Sequence, residues 1–139
     1  MSGKTFLDSN VLAYAQDKGA PTKRSRSRDL IISLAKSGDG VISTQVMQEF
    51  YIAATRKLGV EPIAAKGILK TFSLFEVVQV TPELIHEAID CSILNTLSFW
   101  DSLVLAAAAS AGCTTLYTED LNDGQTILGV KIHNPFANS

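Results

Sequence analysis

The 139-residue chain is predicted to fold as an α/β protein, with a central parallel sheet of about five short strands and helices on both faces. Short apolar runs alternate with longer segments of helical periodicity from one end to the other. The predicted strands are almost entirely apolar, which is typical of a parallel sheet that is covered on both faces. No linker, repeat or low-complexity segment interrupts this order, so residues 1–139 are interpreted as a single three-layer domain.

Each predicted element has a local reason in the sequence. Apolar β-type runs predict the strands, while capping hydroxyls, proline at a first helical position and glycine after a last turn delimit the helices. The predicted strands are Thr5–Leu7, Val41–Ile42, Val77–Val80, Thr114–Thr118 and Val130–Ile132. The predicted helices are about Asn10–Gln16, Thr22–Lys36 with Thr22 as cap, Ser43–Leu58, Pro62–Phe72, Pro82–Leu94 and Ser98–Gly112.

Composition narrows the function classes. The formal net charge is −2, so the chain as a whole is not a polycation that coats nucleic acid. Cys91 and Cys113 are too few for a disulfide scaffold and lack a metal-binding spacing. The N-terminal residues lack the apolar stretch of a signal peptide, and the longest apolar run, Leu103–Ala109, is too short to span a bilayer. A cytoplasmic protein without a membrane association is therefore expected.

Two aspartates follow predicted strands. Asp8 comes directly after the first strand, and Asp120 lies two residues beyond the last threonine of the fourth strand, Thr118. Because parallel strands end at a common edge, where ligands bind in such sheets, both side chains are expected at that edge. For either aspartate taken singly, a role as a turn or helix-cap residue is favoured, because aspartate is abundant in turns.

Two further acids occur in unusual helical positions. Glu49 lies along an apolar helix stripe with Val46 and Ala53, where an ionised carboxylate is costly unless it is paired. A salt bridge, or a place at the edge of the stripe, is the structural alternative. Asp101 fits the spacing of a capping box with Ser98, but its helix is apolar nearly all round, so the helix start is expected near the sheet edge.

Four carboxylates from four segments would repel one another without cations, and some would stay protonated. Oxygen ligands in that number favour Mg²⁺ or Mn²⁺. Two such ions can activate water and stabilise the leaving oxygen in phosphodiester hydrolysis. Acid clusters also bind Ca²⁺ or serve phosphatases, so the pattern alone leaves the chemistry open.

At these positions the sequence resembles the PIN-domain ribonucleases, in particular the VapC-type toxins of toxin–antitoxin pairs. The resemblance extends over essentially the whole chain and follows four motifs and a tail in order: Phe6–Val11, Ile42–Phe50, Phe99–Leu103, Leu116–Leu121 and Val130–Phe136. It implies a sheet between helices, endoribonuclease activity that depends on Mg²⁺ or Mn²⁺, an RNA substrate, a homodimer, and a cognate antitoxin that blocks the active site.

The resemblance also implies roles for individual residues. The catalytic residues and metal ligands would be Asp8, Glu49, Asp101 and Asp120, with hydroxyl support from Ser9 and Thr118. Ser102 stands where the family often has alanine. Asp123 is an additional acid, for which a turn role is favoured over a water-mediated contact to a metal ion.

Other side chains have two interpretations each. Four cations lie within six residues, and they form either a solvated helix face or a contact surface for the RNA backbone: Lys23, Arg24, Arg26 and Arg28. For Trp100, core packing is favoured over base stacking.

Two alternative functions remain open at this point. One is a catalytically weak or inactive PIN domain that binds RNA or protein without cutting. The other is a Mg²⁺-dependent phosphatase that would pass through a phospho-aspartate on Asp8.

Overall fold

The computed structural model describes residues 3–137. Its strands are β1 (Lys4–Leu7), β2 (Gly40–Ser43), β3 (Glu76–Val78), β4 (Cys113–Tyr117), β5 (Thr126–Ile127) and β6 (Val130–His133). They form one six-stranded sheet in the order β3-β2-β1-β4-β6-β5. All neighbours pair in parallel except β5, which is antiparallel to β6.

Helices flank this sheet and complete a three-layer arrangement. They are α1 (Ser9–Tyr14), α2 (Pro21–Ser37), α3 (Thr44–Ile52), α4 (Pro62–Thr71), α5 (Pro82–Asn95) and α6 (Phe99–Ser110). The π-helical segment Ala53–Lys57 follows α3, and the 3₁₀ turn Phe72–Leu74 follows α4. The predicted fold class is confirmed, with one more strand than expected.

Three local predictions need correction. The edge strand β5 was not predicted, because two residues are too few to show an alternating pattern. Thr22 does not cap α2, since Pro21 already occupies the first helical position and the preceding residue, Ala20, contributes no side-chain bond. The helix expected to run from Ser43 to Leu58 ends as an α-helix at Ile52 and continues with π-helical bonding.

The hydrophobic core lies on both faces of the sheet. Phe6, Leu7, Ile42, Leu116 and Ile132 are completely buried on the four central strands. Helix α6 is buried from Ser102 to Ala108, as its almost uniformly apolar sequence predicts.

Between residues 3 and 137, no single helix is long and apolar enough to cross a membrane. Helices α5 and α6 reach that length and apolar composition only when they are taken together, and they are bent by 117° relative to each other.

The order of the strands determines where the site lies. Strand β1 is central, between β2 and β4, and all three run in the same direction. Their carboxyl ends therefore meet at one edge, where Asp8 follows β1 and Thr118 follows β4. At the end of β2, Ser43 caps α3 by accepting a hydrogen bond from the Val46 amide at 3.2 Å.

Candidate active site

Asp8 is the buried centre of the site, with 5% of its surface exposed. Its Oδ1 accepts a hydrogen bond from the Ser9 amide at 2.7 Å, which caps α1, and its Oδ2 accepts one from Thr118 Oγ1 at 2.8 Å. Burial raises the pKa of Asp8 to about 6, and the charges of Glu49 and Asp120 act in the same direction, although both hydrogen bonds oppose the rise. The carboxylate therefore holds a proton more readily than an exposed aspartate does.

Thr118 is the hub of the hydrogen-bond network around Asp8. Its hydroxyl oxygen accepts from Asn10 Nδ2 at 3.2 Å and from the Asp120 amide at 3.1 Å. Because a hydroxyl has two acceptor sites and one proton, that proton is directed to Asp8. Thr118 is completely buried, so the interpretation of this residue as hydroxyl support agrees with its contacts.

Asn10 connects the two aspartates and was missed by sequence reasoning. Its Nδ2 also donates to Asp120 Oδ2 at 3.1 Å, while its Oδ1 accepts from the Glu119 amide at 3.4 Å. The available signal was the polar run Asp8-Ser9-Asn10 directly after a buried strand.

Glu49 joins the network from helix α3, where it is half-buried. Its Oε1 accepts a hydrogen bond from Ser9 Oγ at 3.0 Å, and its Oε2 accepts one from Gln45 Nε2 at 3.3 Å. Glu49 forms no salt bridge with any residue between 3 and 137, so the structural alternative of an ion pair is not observed. Gln45 was also missed, and the signal was a polar residue one turn before Glu49.

Asp101 is linked to this network through the backbone at the start of its helix. Its amide donates to Ser98 Oγ at 3.1 Å, which forms the serine half of the expected capping box. Gln45 Nε2 also donates to the Trp100 carbonyl at 3.2 Å and thereby ties the start of α6 to Glu49. The carboxylate of Asp101 itself receives no hydrogen bond within the described part of the chain.

The structure thus unites Asp8, Glu49 and Asp120 in one network through side chains that lie between them, and the Asp101 carboxylate makes no hydrogen bond with this network within residues 3–137. No three side chains of the acid, histidine or cysteine type between residues 3 and 137 are grouped closely enough to hold a metal ion by themselves. The roles of the four acids in catalysis and metal binding stay predictions.

Two open cavities meet at this edge of the sheet. One, of about 510 Å³, is lined by residues that include Gln48, Glu49 and Trp100. The other, of about 370 Å³, is lined by residues that include Asn10 and Asp120. Both share a wall formed by Ser9, Ala53 and Lys57, so they form one groove across the site, called here the acidic groove. The π-helical segment contributes the last two of these residues.

A tight ion cluster lies at the outer end of the groove. Lys23 Nζ contacts Glu119 Oε2 at 2.9 Å and Tyr14 Oη at 3.3 Å, while Tyr14 Oη donates to Glu119 Oε1 at 2.6 Å. The hydrogen bond to Glu119 raises the pKa of Lys23, and the bonds from Tyr14 and Lys23 lower the pKa of Glu119 despite the opposing effect of burial. The ammonium also lies 4.7 Å from the centre of the Tyr14 ring. Lys23 therefore has an internal structural role.

The three arginines that follow Lys23 in α2 have separate surroundings. Arg28 Nε donates to the Ala15 carbonyl at 2.7 Å, and Arg26 Nε donates to the Pro135 carbonyl at 3.3 Å. Arg24 is partly buried and its Nε has no partner within residues 3–137. None of the three lines the acidic groove. An RNA contact through this segment stays a prediction.

Asp123 lies outside the network of the other acids. Its Oδ1 accepts from the Asn134 amide at 2.8 Å and is 3.5 Å from His133 Nδ1, which joins the turn at residues 122–124 to the end of β6. This placement supports the turn interpretation over a contact to a metal ion.

Trp100 contradicts the prediction that it packs in the core. Its side chain is 62% exposed, because the buried part of α6 begins only at Ser102. The Ser102 hydroxyl is completely buried and has no partner within the described residues.

Comparisons with known proteins agree with this architecture. The sequence profile described as PIN domain matches residues 5–122. No curated protein matches the chain. A solved structure of the VapC20 toxin of Mycobacterium tuberculosis, described as cleaving the sarcin–ricin loop, has a TM-score of 0.70 at 20% identity, over 84% of this chain and 92% of that one.

Two solved toxin–antitoxin assemblies are similar as well. The DNA-bound VapBC complex of Salmonella typhimurium gives a TM-score of 0.69 at 18% identity, over 96% of this chain and 98% of that one. A toxin–antitoxin complex from Klebsiella pneumoniae gives 0.69 at 17% identity, over 95% and 98%. At these identities the structures show a shared fold, while the profile covers most of the chain. The chain belongs to the PIN-domain family.

Proposed function

We propose that this PIN-domain chain is an endoribonuclease that requires Mg²⁺ or Mn²⁺ and acts as the toxin of a toxin–antitoxin pair. The observation that carries the proposal is the buried Asp8 carboxylate, which is linked to Glu49 and Asp120 at the carboxyl edge of the sheet. A purely structural aspartate has no need of two further acids beside it, because each added negative charge makes its ionisation more costly.

The residues present fit a hard divalent cation in their chemistry. All candidate donors are oxygen atoms, and neither a histidine nor a cysteine lines the acidic groove. The ligands would be Asp8, Glu49, Asp101 and Asp120. Because the acids are not grouped closely enough to enclose an ion alone, water would supply the remaining ligands, as is usual for Mg²⁺. When bound, such an ion lowers the pKa of water and neutralises charge on the phosphate.

The chain's own side chains have distinct tasks in this proposal. Glu49 and Asp120 line the groove and can reach an attacking water molecule, whereas Asp8 lies behind them. Ser9 orients Glu49, and Asn10 with Thr118 orients Asp120, so the acids keep their positions before substrate arrives. Asp101 stays in the set because Gln45 ties the start of its helix to Glu49.

The toxin role rests on the family and on its structural neighbours. Several of them are complexes of a toxin with its antitoxin. We propose that this chain likewise has a cognate antitoxin, that it forms a homodimer, and that it acts in the cytoplasm. Induced expression in bacteria should arrest growth, and co-expression of a small protein encoded beside the gene should restore it.

The decisive experiment is incubation of the purified chain with total RNA and Mn²⁺, with Mg²⁺, or with EDTA. Cleavage with either ion and none with EDTA is expected. Asp8→Asn should reduce the cleavage rate about 100-fold or more, because it removes one charged oxygen ligand from the buried centre. Asp29→Asn, a matched change on the exposed surface of α2, should cleave like the unmodified chain.

The outcomes separate the candidate functions. Full activity of Asp8→Asn, or undiminished cleavage in EDTA, would contradict the assignment of the site. Tight RNA binding without cleavage under either ion would support a PIN domain that binds RNA without cutting. A covalent phosphate adduct on Asp8 would support the phosphatase alternative.

A further inference from the structure

The only tryptophan of the chain lies at the rim of the acidic groove. Trp100 is 62% exposed and lines the same cavity as Glu49. A large aromatic side chain left in water forgoes the stabilisation that its burial would give, and such residues often mark binding sites.

The backbone of Trp100 is anchored at the start of α6. Its backbone carbonyl accepts the Gln45 hydrogen bond, and Ser98 caps the helix two residues before it. Its ring packs edge to face against Phe99, with centroids 5.1 Å apart and an interplanar angle of 74°. An exposed aromatic ring at a cavity wall can stack on a planar ligand.

The other walls of this cavity carry polar groups of a specific kind. Gln48 is exposed there, and the Oε1 of Gln45, which is 4% exposed, has no partner within residues 3–137. Amide groups are the side chains that pair with the polar edges of nucleobases.

Lys57 adds a positive charge to the same cavity. It is exposed, it forms no salt bridge with any residue of the described range, and it stands where the two cavities meet. Lys23, at the outer end of the groove, is by contrast already paired with Glu119. Lys57 is therefore the cation of this groove that is available for a phosphate.

We propose that the cavity between Trp100, Gln48 and Lys57 binds one nucleotide of single-stranded RNA beside the bond that is cut. The base stacks on Trp100 and an adjoining phosphate pairs with Lys57. This inference rests on the proposed function and assigns one nucleotide subsite to it. The bound base must be unpaired, because a base inside a duplex cannot stack on a side chain.

The composition of the cavity favours RNA over a second copy of the chain as its occupant. Glu49 and Lys57 both line it, and the buried centre of a protein interface is depleted in such charges. The cavity is also continuous, through Ser9 and Ala53, with the cavity that Asp120 lines. A nucleotide bound there therefore lies next to the candidate reaction centre.

The first test uses Trp100 as its own reporter. Since it is the sole tryptophan, the fluorescence of the cleavage-defective Asp8→Asn chain in Mg²⁺ reports on this cavity alone. Saturable quenching by a single-stranded RNA oligonucleotide is expected, with none from a duplex of the same sequence.

In the same Asp8→Asn background, Trp100→Ala should weaken binding about tenfold, measured with a dye-labelled oligonucleotide, and Trp100→Phe should recover part of the loss. The matched control is Ile63→Ala, which alters an apolar side chain 81% exposed on α4.

The second test concerns Lys57. The logarithm of the binding constant falls linearly with the logarithm of salt concentration, and each phosphate contact adds about 0.7 to the slope for single strands. Lys57→Gln should reduce the slope by about that amount. Arg56→Gln, the same charge change at the neighbouring exposed position outside the groove, should leave the slope unchanged.

The outcomes distinguish this inference from the proposed function. Unchanged fluorescence with RNA, together with unchanged binding by Trp100→Ala, overturns the nucleotide site even if the chain cleaves RNA. A Trp100→Ala variant whose only change is a smaller oligomer by light scattering also overturns it, since the ring then covers a second copy. Quenching by single strands, in a chain that cleaves nothing with Mg²⁺ or Mn²⁺, supports the nucleotide site and contradicts the nuclease.

Discussion

The two sides of the acidic groove differ in how completely their polar atoms are paired. On the strand side, formed by the residues that follow β1 and β4, Thr118 bonds to Asp8, Asn10 and the Asp120 amide at 2.8 to 3.2 Å, and every acceptor position of its hydroxyl is used. On the helix side, Gln45 makes two bonds of 3.2 and 3.3 Å and leaves its own oxygen unpaired. One side is complete without a ligand, while the other retains polar atoms that a ligand could engage.

The difference has a backbone origin. Parallel pairing of Leu7 with Tyr117 fixes the register of β1 against β4, so the residues that follow both strands have little freedom. The helices α3 and α6 are positioned by side-chain packing, and among residues 3–137 Gln45 alone joins them by a hydrogen bond at the groove. We conclude that the strand side is fully paired, whereas the helix side keeps an unpaired amide oxygen that a ligand can engage.

The largest expected effect concerns the pH dependence of stability. The pKa of Asp8 rises from its ordinary value of 3.8 to about 6, which corresponds to on the order of 3 kcal/mol. Between these values the folded state binds more protons than the unfolded state, so this group's contribution to the free energy of unfolding falls as pH rises through the window and is constant above it. Urea unfolding in EDTA at pH 4, 5, 6 and 7 measures the effect.

The comparison chain for this measurement is Asp8→Asn. The difference in free energy of unfolding, Asp8→Asn minus the unmodified chain, should increase by on the order of 3 kcal/mol from pH 4 to pH 7. The altered hydrogen bond to Thr118 adds the same amount at every pH and therefore does not affect this change. A difference that is flat with pH would show that the carboxylate of the strand side is not desolvated as described.

The next effect compares the two sides directly. Thr118→Val keeps the side-chain volume but leaves Asp8 without its donor and removes the acceptor for Asn10 and the Asp120 amide, so about 2 kcal/mol of stability should be lost. Gln45→Met, a similar change on the helix side, should cost less than about 1 kcal/mol, since the glutamine already leaves one atom unpaired. Thermal and urea unfolding give both values.

Thr115→Val is the matched control for these two variants. Thr115 lies within β4 and outside the network, so its replacement should change the free energy of unfolding little. Equal losses of stability for Thr118→Val and Gln45→Met would remove the distinction between a fully paired side and a side with an unpaired amide oxygen.

The smallest effect concerns Lys23, at the outer end of the strand side. Lys23→Gln breaks a partly exposed ion pair with Glu119 and should cost about 0.5 kcal/mol. The salt dependence of RNA binding should stay unchanged, because this ammonium is already used internally. A slope reduced by about 0.7 would instead support the earlier interpretation of this segment as a contact surface for RNA.

Much of the fold was predictable because the signals are local. Buried strands such as β1 and β4 are short apolar runs, and Thr81-Pro82-Glu83 marks the start of α5 through its cap and proline. The hairpin strand β5 was not predictable, since its two residues show no period and its pairing with β6 depends on a turn beyond it. The π-helical segment likewise has no sequence signature.

The candidate site was predictable in its acids and less so in its connections. Asp8 and Asp120 follow strands, so the rule for the edge of a parallel sheet placed them together. Asn10 and Gln45 are ordinary polar residues in helices, and only their neighbours in space reveal that they join the acids. Trp100 was assigned to the core because periodicity shows which helix is apolar but not where its burial begins.

The sequence by itself determined the α/β class, the order of strands and helices, and the set of acids with the PIN-domain resemblance, because these depend on local composition and on order along the chain. Only the tertiary structure decided which polar atoms are paired and which are left for a ligand. Hydrogen bonds between residues some forty to more than a hundred positions apart, such as Ser9 to Glu49 and Thr118 to Asp8, depend on packing that no local pattern encodes.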